Sequence, residues 1–326
     1  MRILCPEPEN YSTSGLALAG RLGNLDARTL PQPQFEALAL EYDVLMVRLQ
    51  HRISGDLIKA CPRLRAILSP TTGLDHIDLG VADARGVRIF SLKGEVLFLT
   101  SISSTAEHTF ALLLALVRRM VPSVEAVKEG RWEQAPFRGH NLQGATLGIL
   151  GYGRIGTMVA EYGQAFGMRV LAYDPYVDRY PAHVTRVPSL DTLLRESNVL
   201  SVHVPLEPAT RGMIGARELR LLPRGALLIN TARGAVVDEG ALLHALSDGH
   251  LGGAGLDVLE GEPEIGPAGR ALIAWAATHD TLLITPHLGG ATEEAVEKTD
   301  LFVLEKFRMW AENRTGDRQD SGPGYL

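Results

Sequence analysis

The segment Gly151-Tyr152-Gly153-Arg154-Ile155-Gly156 spaces three glycines as a chain must when it turns tightly around a pyrophosphate. It follows an apolar run, Leu147 to Leu150, and opens a helical pattern with apolar residues at Met158, Val159, Tyr162 and Phe166. A strand, a glycine turn and a helix are the context that chemistry needs. Gly151 permits the turn, Gly153 lets the backbone approach phosphate, and Gly156 lets the helix lie close on the strand. Arg154 and Ile155 open that helix, whose N–H groups and partial positive charge attract an anion. Asp174 ends the next apolar run, where a carboxylate accepts hydrogen bonds from ribose hydroxyls and repels a 2′-phosphate. That favours NAD over NADP. The competing reading is a glycine-rich turn, with Asp174 capping a loop before Pro175.

Three later segments end strand-like runs: Asn230-Thr231-Ala232-Arg233-Gly234, Asp257 to Pro263, and Thr285-Pro286-His287-Leu288-Gly289-Gly290. Ligands of open α/β sheets bind at such carboxyl ends. Reducing a 2-keto acid requires hydride at the carbonyl carbon, a proton for its oxygen and donors that hold the carboxylate. Arg233, Glu262 and His287 are of the right types, although each alone is an ordinary surface residue.

Taken in order, the glycine motif, the strand-ending aspartate, His203-Val204-Pro205, Asn230 to Gly234, Glu262-Pro263 and Pro286-His287-Leu288-Gly289 resemble the D-isomer-specific 2-hydroxyacid dehydrogenases over nearly the whole chain. That family contains phosphoglycerate dehydrogenases, hydroxypyruvate and glyoxylate reductases and D-lactate dehydrogenase. The resemblance implies that Arg233 holds the substrate carboxylate and carbonyl, and that His287 is the acid/base with Glu262 on its other ring nitrogen. It also implies cofactor contacts at Arg154 and Ile155, beside the phosphates, and at Val204, Pro205, Thr231, Ala232, Asp257, Gly289 and Gly290. In the N-terminal part it implies substrate contacts at Arg48, Thr71, Thr72 and Gly73, although many relatives carry glycine where Thr71 stands. Two other members of this structural group compete: a corepressor-like dinucleotide-binding protein, and a formate- or phosphite-type dehydrogenase.

The elements that must position these groups follow from hydrophobic periodicity. Asp43 to Val47, Leu64 to Leu68 and Val87 to Phe90 read as strands between helical patterns. Six more follow the polar connection around Gly130 to Gly144: Leu147 to Leu150, Arg169 to Tyr173, Val199 to Val204, Ala226 to Asn230, Gly255 to Val258 and Leu282 to Thr285. One long helix is expected from Ser103 to Met120 and another from Thr292 to Glu312, with a polar tail beyond. The fold class is therefore α/β: two doubly wound parallel-sheet domains, a flavodoxin-like substrate domain and a Rossmann NAD domain. The expected boundaries are 1–104 plus 292–326 for a discontinuous substrate domain and 105–291 for the NAD domain, with catalysis in the cleft and no appended regulatory domain.

Among 326 residues, 32 Lys and Arg balance 38 Asp and Glu without a block of one sign, which argues against a nucleic-acid partner. The most apolar helical stretch, Phe110 to Val117, falls short of the ~20 residues of a membrane span, and the N-terminus does not read as a secretory signal. Cys5 and Cys61 are the sole cysteines, and no His/Cys spacing suits a metal, which fits a cytoplasmic protein without structural zinc. The partner expected is a small 2-keto or 2-hydroxy acid, and the family resemblance implies a homodimer, with the long helix and the segment around Trp132 as candidate interface.

Overall fold

The computed structural model describes residues 1–316. The chain divides into two compact units, residues 1–99 with the segment from Thr292 onward, and Thr100–Ala291.

In the first unit β1 (Arg2–Cys5), α1 (Thr13–Leu22), β2 (Asn24–Ala27), α2 (Gln32–Ala39), β3 (Val44–Met46), α3 (Gly55–Ala60), β4 (Ala66–Ser69), α4 (Leu79–Ala84), β5 (Arg88–Ser91) and α5 (Val96–Leu99) alternate along the chain. The five strands form one parallel sheet in the order β2-β1-β3-β4-β5. This is the flavodoxin-like arrangement. Its inner strands β3 and β4 are buried at every position, as a sheet covered on both faces requires. The sequence reading had three strands here; β1 and β2 are the additions.

The second unit contains α6 (Ser104–Val117), α7 (Met120–Lys128), β6 (Thr146–Leu150), α8 (Arg154–Ala165), β7 (Arg169–Tyr173), β8 (Val184–Arg186), α9 (Leu190–Glu196), β9 (Val199–Val202), α10 (Ala216–Leu221), β10 (Leu227–Asn230), α11 (Glu239–Ser247), β11 (Gly253–Leu256), α12 (Pro267–Ala276) and β12 (Leu282–Ile284). The last described element, α13 (Glu293–Gly316), packs on α1, β4 and β5 of the first unit. The second sheet is parallel throughout, in the order β12-β11-β10-β9-β6-β7-β8. The order reverses between β6 and β9, the switch point at which such sheets bind nucleotides.

Helix α8 buries Gly156, Val159, Ala160 and Gly163, a stripe spaced three and four residues apart. A Cβ on Gly163 would stand 2.6 Å from the Leu147 side chain, so the helix lies against β6 only because that position is glycine. The long helix expected from Ser103 to Met120 is two helices. Arg119 adopts the left-handed conformation, with φ 50°, and α7 begins at the next residue. The stretch Val96–Val117 is long and apolar enough, by length and composition, to cross a membrane, contrary to the shorter estimate from sequence. It comprises two helices, and the longer, α6, packs on α8 and on β10, β11 and β12.

Candidate active site

Each glycine of the 151–156 turn is required for a different reason. Gly151 has φ +90°, and a Cβ there would lie 2.8 Å from the His203 carbonyl, so the turn nests against the end of β9. A Cβ on Gly156 would stand 2.2 Å from the Gly151 carbonyl oxygen. Gly153 faces open space and N-caps α8 with no side chain of its own. A helix N-terminus beside open space fits a diphosphate. The Asp174 carboxylate accepts the Tyr152 N–H on one oxygen and the Tyr176 N–H on the other, both at 2.9 Å. Each oxygen keeps a lone pair for a ribose hydroxyl. Arg154 donates to the Ile102 carbonyl at 2.6 Å, so part of its hydrogen bonding is internal. Desolvation pushes the His203 pKa down to about 3, and its Nε2 lies 2.7 Å from the Ser201 hydroxyl.

The ends of β10, β11 and β12 carry the other predicted groups. Buried Asn230 ties the turn after β10, accepting the Ala232 N–H at 3.0 Å and donating to the Arg233 carbonyl at 2.9 Å. Thr231 bonds Thr109 of α6 at 2.8 Å. Arg233 is extended and half-buried, with Nη1 donating to the Ala232 carbonyl at 2.6 Å. Gly234 follows because nothing larger fits: its Cβ would lie 2.1 Å from the Leu259 carbonyl carbon. Gly234→Ala is expected to destabilise the unit by about 1–3 kcal/mol, read as a lower urea midpoint, since backbone cannot move aside as a side-chain tip can. An unchanged midpoint would contradict this packing.

His287 Nδ1 and Glu262 Oε1 are 2.6 Å apart, the hydrogen bond the sequence reading anticipated across two separate strand ends. With Nδ1 donating to the carboxylate, Nε2 is the ring nitrogen left to give or take a proton. His287 itself sits at φ 57°, an uncommon conformation for any residue with a side chain. Asp257, 1% exposed, holds it there. Its backbone carbonyl accepts the His287 N–H at 2.9 Å, Oδ1 accepts the Leu288 N–H at 2.7 Å and the Thr285 hydroxyl at 2.6 Å, and Oδ2 accepts the Gly289 N–H at 2.7 Å. Burial pushes the Asp257 carboxyl up, but these donors and His108 outweigh it and hold it below the usual range. Asp257 is thus first a loop anchor. Glu239 plays a similar part for the loop bearing Glu262: 7% exposed, it accepts the Glu260 N–H at 2.7 Å, and burial raises its pKa.

In the first unit Arg48 is largely engaged at home. Its Nη2 is 2.5 Å from Asp300 Oδ1 and 3.3 Å from the Thr299 hydroxyl, and its guanidinium lies over the Tyr11 ring. The Thr71 hydroxyl donates to the Gly73 carbonyl at 2.8 Å and meets Ser69 at 2.9 Å, so it closes its own loop, whereas Thr72 is exposed. Sequence reading missed Asp300, Glu239, Asn230 and His108. Asn230 stood in the motif; the others carry no local signal.

Residues 110–289 match the sequence model of the D-isomer specific 2-hydroxyacid dehydrogenase NAD binding domain. The chain is 37% identical to a hydroxypyruvate reductase of Thermotoga maritima over 82% of its own length and 84% of that protein. It is 35% identical, over 94% of its length, to a D-3-phosphoglycerate dehydrogenase of Methanocaldococcus jannaschii, and spans 57% of that protein. Among solved structures, D-lactate dehydrogenase of Aquifex aeolicus, complexed with NAD and lactic acid, superposes with a TM-score of 0.81 at 30% identity, covering 99% of this chain and 100% of that one. The chain therefore belongs to the D-isomer-specific 2-hydroxyacid dehydrogenases, and its cofactor is NAD.

The ribose contact expected of Asp174 can be measured. If the carboxylate accepts charge-assisted hydrogen bonds from the ribose, Asp174→Ala lowers the ratio of kcat/KM for NADH over NADPH by roughly 10- to 100-fold. A ratio unchanged in steady-state assays would place the selector elsewhere.

Proposed function

We propose that this enzyme moves a hydride between NAD(H) and a small 2-keto or D-2-hydroxy acid, with Arg233, Glu262 and His287 as its catalytic set. The observation that carries this reading is the 2.6 Å bond between His287 and Glu262 at the ends of adjacent strands. When bound, the nicotinamide supplies or accepts the hydride. The pyrophosphate would be held by the Gly151–Gly156 turn and the start of α8, the ribose by Asp174, and the nicotinamide end by the residues around Thr231 and Asp257.

The chain's own residues do the remaining chemistry. Arg233 would bind the substrate carboxylate and carbonyl oxygen through a planar pair of donors. His287 Nε2 would give its proton to the carbonyl oxygen in reduction and take it back in oxidation. Glu262 offsets the imidazolium charge and fixes the ring's orientation, and Asp257 fixes the backbone beneath it. The test is NADH oxidation followed by absorbance with glyoxylate, hydroxypyruvate, pyruvate, 2-ketoglutarate, bulkier 2-keto acids and 3-phosphohydroxypyruvate. Absence of turnover with every one would overturn the proposal.

We also propose a homodimer formed through α7 and the segment after it. Met120, Val121, Val124 and Val127 form an exposed apolar stripe at helical spacing, and Trp132 is 85% exposed. Light scattering that returns the mass of a single chain would refute it.

A further inference from the structure

Helix α6 contributes a row of side chains at Thr105, His108, Thr109 and Leu112, spaced three and four residues apart, so they share one face. Each meets a different part of the catalytic scaffold. Thr105 lies against Gly289, where an added Cβ would come within 3.3 Å of its methyl group. Thr109 bonds Thr231 at the end of β10. Leu112 packs on Gly255 of β11. His108 Nε2 stands 2.9 Å from the Thr285 hydroxyl and 3.2 Å from Asp257 Oδ1, joining the ends of β11 and β12.

We infer that His108 is a positioning residue for His287, acting through Thr285 and Asp257; the inference rests on the catalytic reading of His287 proposed above. The hydrogen-bond inventory gives the direction. The Thr285 hydroxyl donates its one proton to Asp257 at 2.6 Å, so toward His108 it can only accept. His108 must then donate from Nε2, to Thr285 and to the carboxylate beyond it. The donors run one way, from His108 through Thr285 to Asp257, and meet there the N–H groups of Leu288 and Gly289. The two backbone bonds flank His287 on its C-terminal side and hold it at positive φ. His108 is the one member of this set that comes from another layer of the unit, so it fixes the loop relative to α6 as well as within itself. Its imidazole is 19% exposed, enclosed enough for a lost donor to leave Thr285 and Asp257 short of one bond.

The full-length enzyme tests this with three substitutions, assayed with NADH and the 2-keto acid of highest turnover. His108→Leu removes the donor, His108→Gln keeps an amide nitrogen near the place of Nε2, and His108→Asn keeps one nearer Nδ1, out of reach of Thr285. The expected result is a kcat about 10- to 100-fold lower in the Leu and Asn variants, from a displaced His287, with KM for NADH changed less than about twofold and with Gln recovering most of the rate. Deuterium exchange at the Leu288 and Gly289 amides is expected to quicken in Leu and Asn and not in Gln. Should the Leu variant fail to fold, the Asn and Gln pair decides. Wild-type kcat in Asn, a Gln variant as slow as Asn, or exchange unchanged throughout would each overturn the inference. His287→Gln in the same assay separates the two readings. If that variant is inactive while the His108 variants are normal, only the positioning role fails. If it is fully active, the catalytic reading fails, and with it the role assigned to His108.

Discussion

His287→Gln is expected to lower kcat for 2-keto-acid reduction by roughly 10²- to 10⁴-fold, the contribution of a positioned proton donor. Glutamine matches the ring in length and polarity but has no titrating nitrogen. The loss therefore belongs to proton transfer, and NADH binding, followed by fluorescence titration, should change less than about threefold. Glu262→Gln keeps a hydrogen-bond acceptor opposite Nδ1 and removes the charge that offsets the imidazolium. It should cost less than the histidine replacement. In the proposed mechanism the two side chains act as one unit across their 2.6 Å bond, so the double variant should be scarcely slower than His287→Gln alone. Additive losses would mean that the carboxylate works independently of the ring, and a His287→Gln enzyme within tenfold of wild type would remove the histidine from the proton path.

The parts of this site that were readable in sequence are those in which one segment holds the whole reason. Gly151, Gly153 and Gly156 could be assigned because strand, turn and helix are contiguous and each glycine answers a local constraint. Asp174 could be singled out as a candidate because it stands at the end of the following strand. His287 and Glu262 are 25 residues apart and meet only because β11 and β12 are neighbours, so their pairing came from family resemblance and no spacing rule would have produced it. His108 lay beyond both approaches. It is one histidine in an apolar helix, and its partners stand well over a hundred residues away.

Two of the missed strands, β2 and β8, share a physical cause. β2 pairs with β1 alone and β8 with β7 alone, so each is an edge with little to bury. Asn24–Ala27 has no fully buried residue and Val184–Arg186 has one, which leaves no periodic pattern to detect. β1 is different: Ile3, Leu4 and Cys5 are buried, but the run is too short before Pro6 to separate from an irregular start. The break at Arg119 was hidden because arginines suit a helix C-terminus as well as a helix interior; only the backbone reveals the left-handed residue between α6 and α7.

Arg233→Ala is expected to reduce kcat/KM for 2-keto acids by roughly 30- to 3,000-fold, the cost of removing one partner of an enclosed charge pair. The argument rests on how firmly the turn presents this residue. Asn230 bonds both sides of it, Gly234 lets the next residues lie against Leu259, and one guanidinium nitrogen is already engaged with the Ala232 carbonyl. A guanidinium held in this way loses little further freedom when it takes a carboxylate. Arg233→Lys should therefore recover little of the rate, because an ammonium offers a point charge where the proposed contact needs two parallel donors. The comparison distinguishes charge from shape: recovery to within threefold in the lysine variant would show that attraction alone suffices, and recovery of the alanine variant by added guanidinium ion, with lysine still defective, would show that the planar fork is what the substrate reads.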